Sequence, residues 1–283
     1  MQRYIYLFLL LFLIIYIIRP TTDTEQFDNP NKIVVCLMCV CPNDIVMKFA
    51  SRISKLYKTY IVCDDIQCRT PKYPDIEFIK ISDEEVVHTS YTKSNIAISK
   101  VPSAWDKALY YFCKKDTTPD YVWFIEEDVF IPRASLISDI DAKYPDADLV
   151  AKQHVSQSED PDFGWWFDAE DTMKKPLYRS LVCAARLSRE LLRKIDKFVS
   201  THGRLVFIEV MFNTIVHHDR MKLAMPEELS TIIWRHDWNE NNVNENYMYH
   251  PVKDVRKQKE FRKKLSQLPN SNVEEFQNLS QKN

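Results

Sequence analysis

Tyr121-Val122-Trp123-Phe124-Ile125-Glu126-Glu127-Asp128 is the stretch whose reading decides the fold. An unbroken apolar run of strand length reads as a β-strand buried on both faces. Here it empties into three consecutive carboxylates. Adjacent like charges raise one another's pKa, and a buried carboxylate without a partner is costly. A divalent cation relieves both problems, and hard oxygen ligands at a strand end suit Mg²⁺ or Mn²⁺. An acidic surface turn is the competing explanation. Against it, Phe124-Ile125 before the acids and Val129-Phe130-Ile131 after them keep the carboxylates in buried company.

Outward from this strand the chain alternates in the βα manner. Lys32 to Val40 is a second apolar, β-branched strand, and Cys41-Pro42-Asn43-Asp44 supplies a turn and a helix start for Ile45 to Lys55. Tyr57 to Cys63 is a strand ending on Asp64-Asp65, Ile76 to Ile81 a shorter one, and Pro102-Ser103 opens a helix to about Lys115. That helix carries Trp105, Ala108, Leu109 and Phe112 on one face. Strands alternating with helices imply an α/β fold with a mainly parallel sheet and helices on both faces. Ligands of such sheets gather at the carboxyl ends of the strands, which places Asp64, Asp65, Glu126, Glu127 and Asp128 on one rim.

The second half is less regular. Strands are expected at Asp148 to Ala151, Ser180 to Ala185 and Lys222 to Ala224, and helices at Ser188 to Phe198, with Ser188 as N-cap, and Phe207 to His217. Gln153 to Asp171, centred on Gly164-Trp165-Trp166-Phe167, reads as a loop over a site. Beyond Asp254 a charged helix and a disordered tail are expected over residues 255–283.

Composition removes several function classes. The chain has only two glycines, so a Walker A loop, a Rossmann G-x-G-x-x-G turn and a G-x-S-x-G elbow have nowhere to form. A formal net charge of -2 argues against nucleic acid as a partner. Cys63 and Cys68 are spaced to close a small loop, whereas Cys36, Cys39 and Cys41 fall in an apolar stretch and read as buried thiols.

Phe124-Ile125-Glu126-Glu127-Asp128 resembles the strand-end acidic motif (D-x-D, or E-D-D) of GT-A glycosyltransferases, and the order of elements from Lys32 to Asp254 resembles that fold. The resemblance implies a GT-A-like catalytic domain over residues 32–254, a nucleotide-sugar donor and Mn²⁺ or Mg²⁺. It implies Asp128 as direct metal ligand, with Asp64, Asp65, Glu126 and Glu127 around the nucleotide. A late histidine often completes the metal shell in this family; His250 is the candidate and His236 the runner-up, though a core histidine accounts equally for either. An inverting transfer needs a general base. Glu209, the one acid in an apolar helical stretch, fits that role, with Asp237 in reserve; a buried Glu paired with Arg204 or Arg220 is the alternative. Trp165 and Trp166 offer flat faces to an acceptor sugar, and Lys93, Lys100 and Lys253 stand as lesser candidates for contact with a diphosphate. The expected activity is hexosyl or N-acetylhexosaminyl transfer to a glycan or glycoprotein acceptor. A non-catalytic nucleotide- or sugar-binding protein of the same fold remains an alternative. So does a nucleotidyltransferase, although such enzymes carry a Gly-rich loop where this chain has Cys41-Pro42-Asn43.

Tyr4 to Ile18 is uncharged and apolar between Arg3 and Arg19, reaching roughly 22 Å as a helix, or about 30 Å counted from Met1 to Pro20. Residues 1–20 are therefore expected to be a retained signal-anchor; no small-residue cleavage site ends the run. A short stem, residues 21–31, follows. The plan resembles that of type II membrane transferases of the Golgi or endoplasmic reticulum with a luminal catalytic domain, where Asn278-Leu279-Ser280 is a glycan acceptor.

Overall fold

The structure, a computed structural model, describes residues 32–96, 101–269 and 271–273. The expected anchor and stem, Lys100, Asn278 and the last ten residues lie outside them. Among the described residues no helix is long and apolar enough to cross a membrane.

A seven-stranded sheet organises the domain in the order β3-β2-β1-β4-β6-β5-β7. Its first four strands are β1 (Ile33–Cys39), β2 (Lys58–Cys63), β3 (Ile76–Ile79) and β4 (Tyr121–Glu126), all mutually parallel. The rest are β5 (Leu149–Ser156), β6 (Tyr178–Ser188) and β7 (Leu223–Ala224). Strand β6 runs antiparallel to both β4 and β5, so the sheet is mixed but mostly parallel. Both β5 and β6 outrun the segments expected for them, because bulges between Val150 and Lys152 and between Lys152 and Val155 keep the pair together past the apolar core.

Alternate residues of each central strand enter different cores, which is why the strands read as continuous apolar runs. Val34, Cys36 and Met38 of β1 face one cluster, and Val35, Leu37 and Cys39 face the other. Helices α1 (Asp44–Ile53) and α4 (Ser135–Lys143) cover the second face. Helices α2 (Asp83–His88), α3 (Ala104–Tyr110, extended by a wider π-type turn, Tyr111–Lys115), α6 (Arg189–His202) and α7 (Ile208–His218) cover the first. A single turn, α5 (Phe167–Glu170), lies in the long acidic loop. The caps follow the sequence: Asn43 accepts from the amides of Ile45 and Val46 ahead of α1, and Ser188 from Leu191 ahead of α6.

The charged segment after Asp254 is part of the fold. Helix α8 (Val255–Ser266) sinks Phe261 and Leu265 into a third core with Phe130, Trp238, Tyr249 and Val252. The Gln258 side chain donates to the carbonyls of Glu127 and Val252, and the Arg262 guanidinium donates to the carbonyls of Ile131 and Pro132. The cysteines pair differently from the expectation set by their spacing. Strand β1 ends at Cys39, which leaves Cys41 on a loop, and it is Cys41 that bonds Cys68, with Cα atoms 5.7 Å apart. Cys63, on the last residue of β2, stays free and buried.

Candidate active site

The rim is built by register. Met38 pairs with Glu126, and the amides of Asp64 and Asp65 donate to the carbonyls of Cys39 and Val40. The ends of β1, β2 and β4 therefore meet at one level. They open into a cleft of about 690 Å³ whose lining includes Asp64, Trp105, the three strand-end acids, Cys183, Glu209, Trp234 and His250.

Each acid of the trio has its own surroundings. Glu126 accepts a hydrogen bond from the Trp105 indole at 2.7 Å; the capping box between Ser103 and Asp106 starts α3 where it brings that ring to β4. Burial, then the charge of Asp128, pushes the Glu126 carboxyl above its ordinary pKa. Glu127 is likewise raised by burial, partly offset by the Val40 amide it accepts from at 3.2 Å. Asp128 faces His250, with Nε2 3.5 Å from its Oδ1 and 3.8 Å from Oε2 of Glu126.

His250 reaches the acids although it stands far away in sequence. Phe130 pairs with Tyr249 antiparallel, Ile232 pairs with His250, and the Val252 amide donates to the Asp128 carbonyl at 2.7 Å. These short bridges fasten a strap directly beyond the strand end. The His250 ring makes its Nδ1 contact with the Ile233 carbonyl at 2.8 Å. A carbonyl only accepts, so Nδ1 donates to it and Nε2 is turned toward the carboxylates, donating to Asp128 when the ring is charged and offering a lone pair when it is neutral. Burial opposes charging this ring, but the bond to Asp128 and the charges of Asp128 and Glu126 outweigh it and raise its pKa.

Glu209 enters from the first turn of α7 and is 5% exposed. Burial, followed by the charge of Glu126, lifts its pKa from an ordinary 4.5 to about 8. The ion-pair alternative is not what the fold builds: Arg204 pairs with Asp168 at 2.8 Å, and Arg220 is exposed. Among the described residues no cation lies within ion-pair distance of the Glu209 carboxylate.

The remaining expected residues divide. Asp64 lines the cleft, but its carboxylate is held by the fully buried Lys107, 3.2 Å away, which also pairs with Asp83 at 2.7 Å. Asp65 is exposed and caps its own turn by accepting from the Gln67 amide. Asp237 lies outside the cleft with its side chain 91% exposed and paired to Lys257. His236 is exposed against the Trp238 ring. Trp166 is buried and donates to the Asp160 carbonyl, and Trp165 packs on Phe207, so both stand behind the cleft wall instead of on it. Lys253 lines the cleft and Lys93 does not. Sequence reasoning missed Trp234 as a cleft residue, although its ring is 48% exposed at the site, and it read Trp105 only as core. It also missed Cys183, whose thiol lies beside the Glu126 carboxylate.

The neighbourhood fits a divalent cation: the His250 imidazole, held at Nδ1 by the Ile233 carbonyl, stands 3.5 Å from the Asp128 carboxylate and 3.8 Å from that of Glu126. Imidazole among the ligands suits Mn²⁺ better than Mg²⁺.

No protein-family model matches the chain, and no curated protein matches it. Among solved structures the chain is similar to an active-site mutant of LgtC, at 12% identity and a TM-score of 0.43, over 84% of this chain and 98% of that one. It is similar to the 2-C-methyl-D-erythritol 4-phosphate cytidylyltransferase of Thermus thermophilus, at 10% identity and 0.38, over 71% and 92%. Mouse xyloside xylosyltransferase 1 follows at 8% and 0.35, over 69% and 85%. Likenesses this distant carry no argument about activity, which has to come from the cleft.

Proposed function

We propose that this chain is a divalent-metal-dependent glycosyltransferase that moves a sugar from a nucleoside-diphosphate donor to a glycan or protein-linked acceptor. One observation carries the reading. The strand-end carboxylates, a histidine aimed at them and a buried, unpaired Glu209 converge on one cleft large enough for a nucleotide sugar.

Asp128 and His250 hold the cation, with Glu126 beside them, and Glu127 and the Asp64-Asp65 turn form the nucleotide side of the rim. Bound there, the ion stabilises the diphosphate leaving group and cancels part of the repulsion between carboxylates. Glu209 accepts the proton of the acceptor hydroxyl as that oxygen attacks the anomeric carbon and the bond to the diphosphate breaks, which inverts the centre. Burial raises the proton affinity of the Glu209 carboxyl, the direction general-base catalysis asks for. Trp234 offers the aromatic face for an acceptor sugar that Trp165 and Trp166 do not. Residues 1–20 anchor the chain in the membrane of the endoplasmic reticulum or Golgi with the domain in the lumen, and the Cys41–Cys68 disulfide supports an oxidising compartment.

The test uses the full chain in detergent. Nucleotide sugars are screened for thermal stabilisation with Mn²⁺ and with chelator, and donors that stabilise are followed for turnover with mixed glycan acceptors. Mn²⁺-dependent stabilisation and transfer are expected. Stabilisation without donor consumption would replace this reading with a non-catalytic binding protein.

A further inference from the structure

Cys183 sits where a metal ligand would. Strand β6 carries Cys183 just past its last pair with β4, Ile125 against Ala184, and its thiol lies within hydrogen-bonding reach of the Glu126 carboxylate. The ligand atoms of Glu126, Cys183 and His250 all lie within 4.8 Å of one another, and this is the one such donor group among the described residues. Ligand atoms sharing one tetrahedral ion stand about 3.3–3.8 Å apart, given bond lengths of ~2.0–2.3 Å, so small side-chain rotations close the set. Both Cys183, 5% exposed, and His250, 6% exposed, are sheltered from water. Glu209, also buried, lines the same cleft, and among the described residues no cation lies within ion-pair distance of it.

We propose that Cys183 is a thiolate ligand of the cation site and gives it a preference for thiophilic borderline ions, Zn²⁺ and Co²⁺, over Mg²⁺. The inference rests on the strand-end acids being a cation site, not on sugar transfer. Binding forms a sulfur–metal bond and releases the thiol proton to solvent, with no change of oxidation state. The thiolate is the soft donor that discriminates: Mg²⁺ takes oxygen ligands, whereas Zn²⁺ and Co²⁺ accept sulfur, nitrogen and oxygen together. The other free cysteines, Cys36, Cys39, Cys63 and Cys113, have no such neighbours among the described residues.

The full chain in detergent, stripped with chelator and desalted, is titrated with Co²⁺ and followed by absorption. A near-ultraviolet sulfur-to-cobalt charge-transfer band is expected, saturating at one ion per chain, abolished by Zn²⁺ and untouched by excess Mg²⁺. Cys183→Ser should lose the band and weaken Zn²⁺ binding at least ~10-fold. A second measurement needs no variant: Zn²⁺ should protect Cys183 of the wild-type chain from alkylation, read by peptide mapping, while leaving Cys39 and Cys63 unchanged. Co²⁺ binding without the band, a band that survives Cys183→Ser, or alkylation of Cys183 unaffected by Zn²⁺ would each overturn the proposal and leave a Mn²⁺ site standing. Failure of Co²⁺, Zn²⁺ and Mn²⁺ alike to bind would overturn the cation site itself.

Discussion

Replacing Glu209 with Gln should stabilise the metal-free protein, and by an amount that grows with pH. The carboxyl is buried beside Glu126, and its pKa moves from an ordinary 4.5 to about 8. Because the folded state holds the proton more tightly than the unfolded chain, the associated stability is fully present below pH 4.5 and lost as pH rises through 8. At ~1.4 kcal/mol per power of ten, the penalty relative to an uncharged side chain is about 1 kcal/mol at pH 5 and about 4 kcal/mol at pH 8. Glutamine has nearly the same volume and no ionisation. The stability gap between Glu209→Gln and wild type should therefore widen by about 3 kcal/mol between these pH values. Urea unfolding of both proteins at each pH, in chelator, measures it. Turnover in the presence of Mn²⁺ should meanwhile fall by ~10²-fold or more, the scale of a positioned base. A gap that stays constant with pH would refute the buried, unpaired carboxyl, and a more stable protein with undiminished turnover would take the role of base away from Glu209.

Asp128→Asn should leave the melting temperature in chelator near wild type while abolishing the Mn²⁺ dependence of donor binding in calorimetry, with turnover down at least ~10²-fold. Trp234→Ala should raise the acceptor KM about fivefold, corresponding to ~1 kcal/mol of lost ring contact, with donor affinity unchanged. Cys68→Ser opens a loop closed over a separation of 27 residues and should cost about 3 kcal/mol in denaturant unfolding. In sealed microsomes the domain should resist protease and carbonate extraction; digestion of the domain without detergent would contradict a luminal orientation.

The parallel half was legible because its strands are buried on both faces, so Val34 to Cys39 and Val122 to Ile125 leave an apolar signature no helix of that length would carry. The acid rim followed from where those runs stop. Helix α4 was missed: Ser135-Leu136-Ile137-Ser138 mixes β-branched and hydroxyl side chains of middling helix propensity, and its buried Asp141 is explained only by the distant Tyr57, Trp123 and Arg186 that hydrogen-bond it. Trp165 and Trp166 were visible as aromatic but not as inward-facing, because composition does not encode direction. His250 could be named as a candidate, yet the strap that delivers it depends on single-residue bridges with no periodic signal. Cys183 was invisible for a related reason: its neighbour Glu126 comes from a different strand, 57 positions away in the sequence.

The strap and α8 also make the acid rim depend on distant parts of the chain. Strands β1 to β4 and the acidic turn precede the strap and α8 in the chain, yet His250 and the α8 side chains that grip the Glu127 and Ile131 carbonyls come from those later segments. Without the strap and α8, Glu126 and Asp128 would lack the His250 ring, and the Glu127 carbonyl the Gln258 donor, that the folded chain gives them.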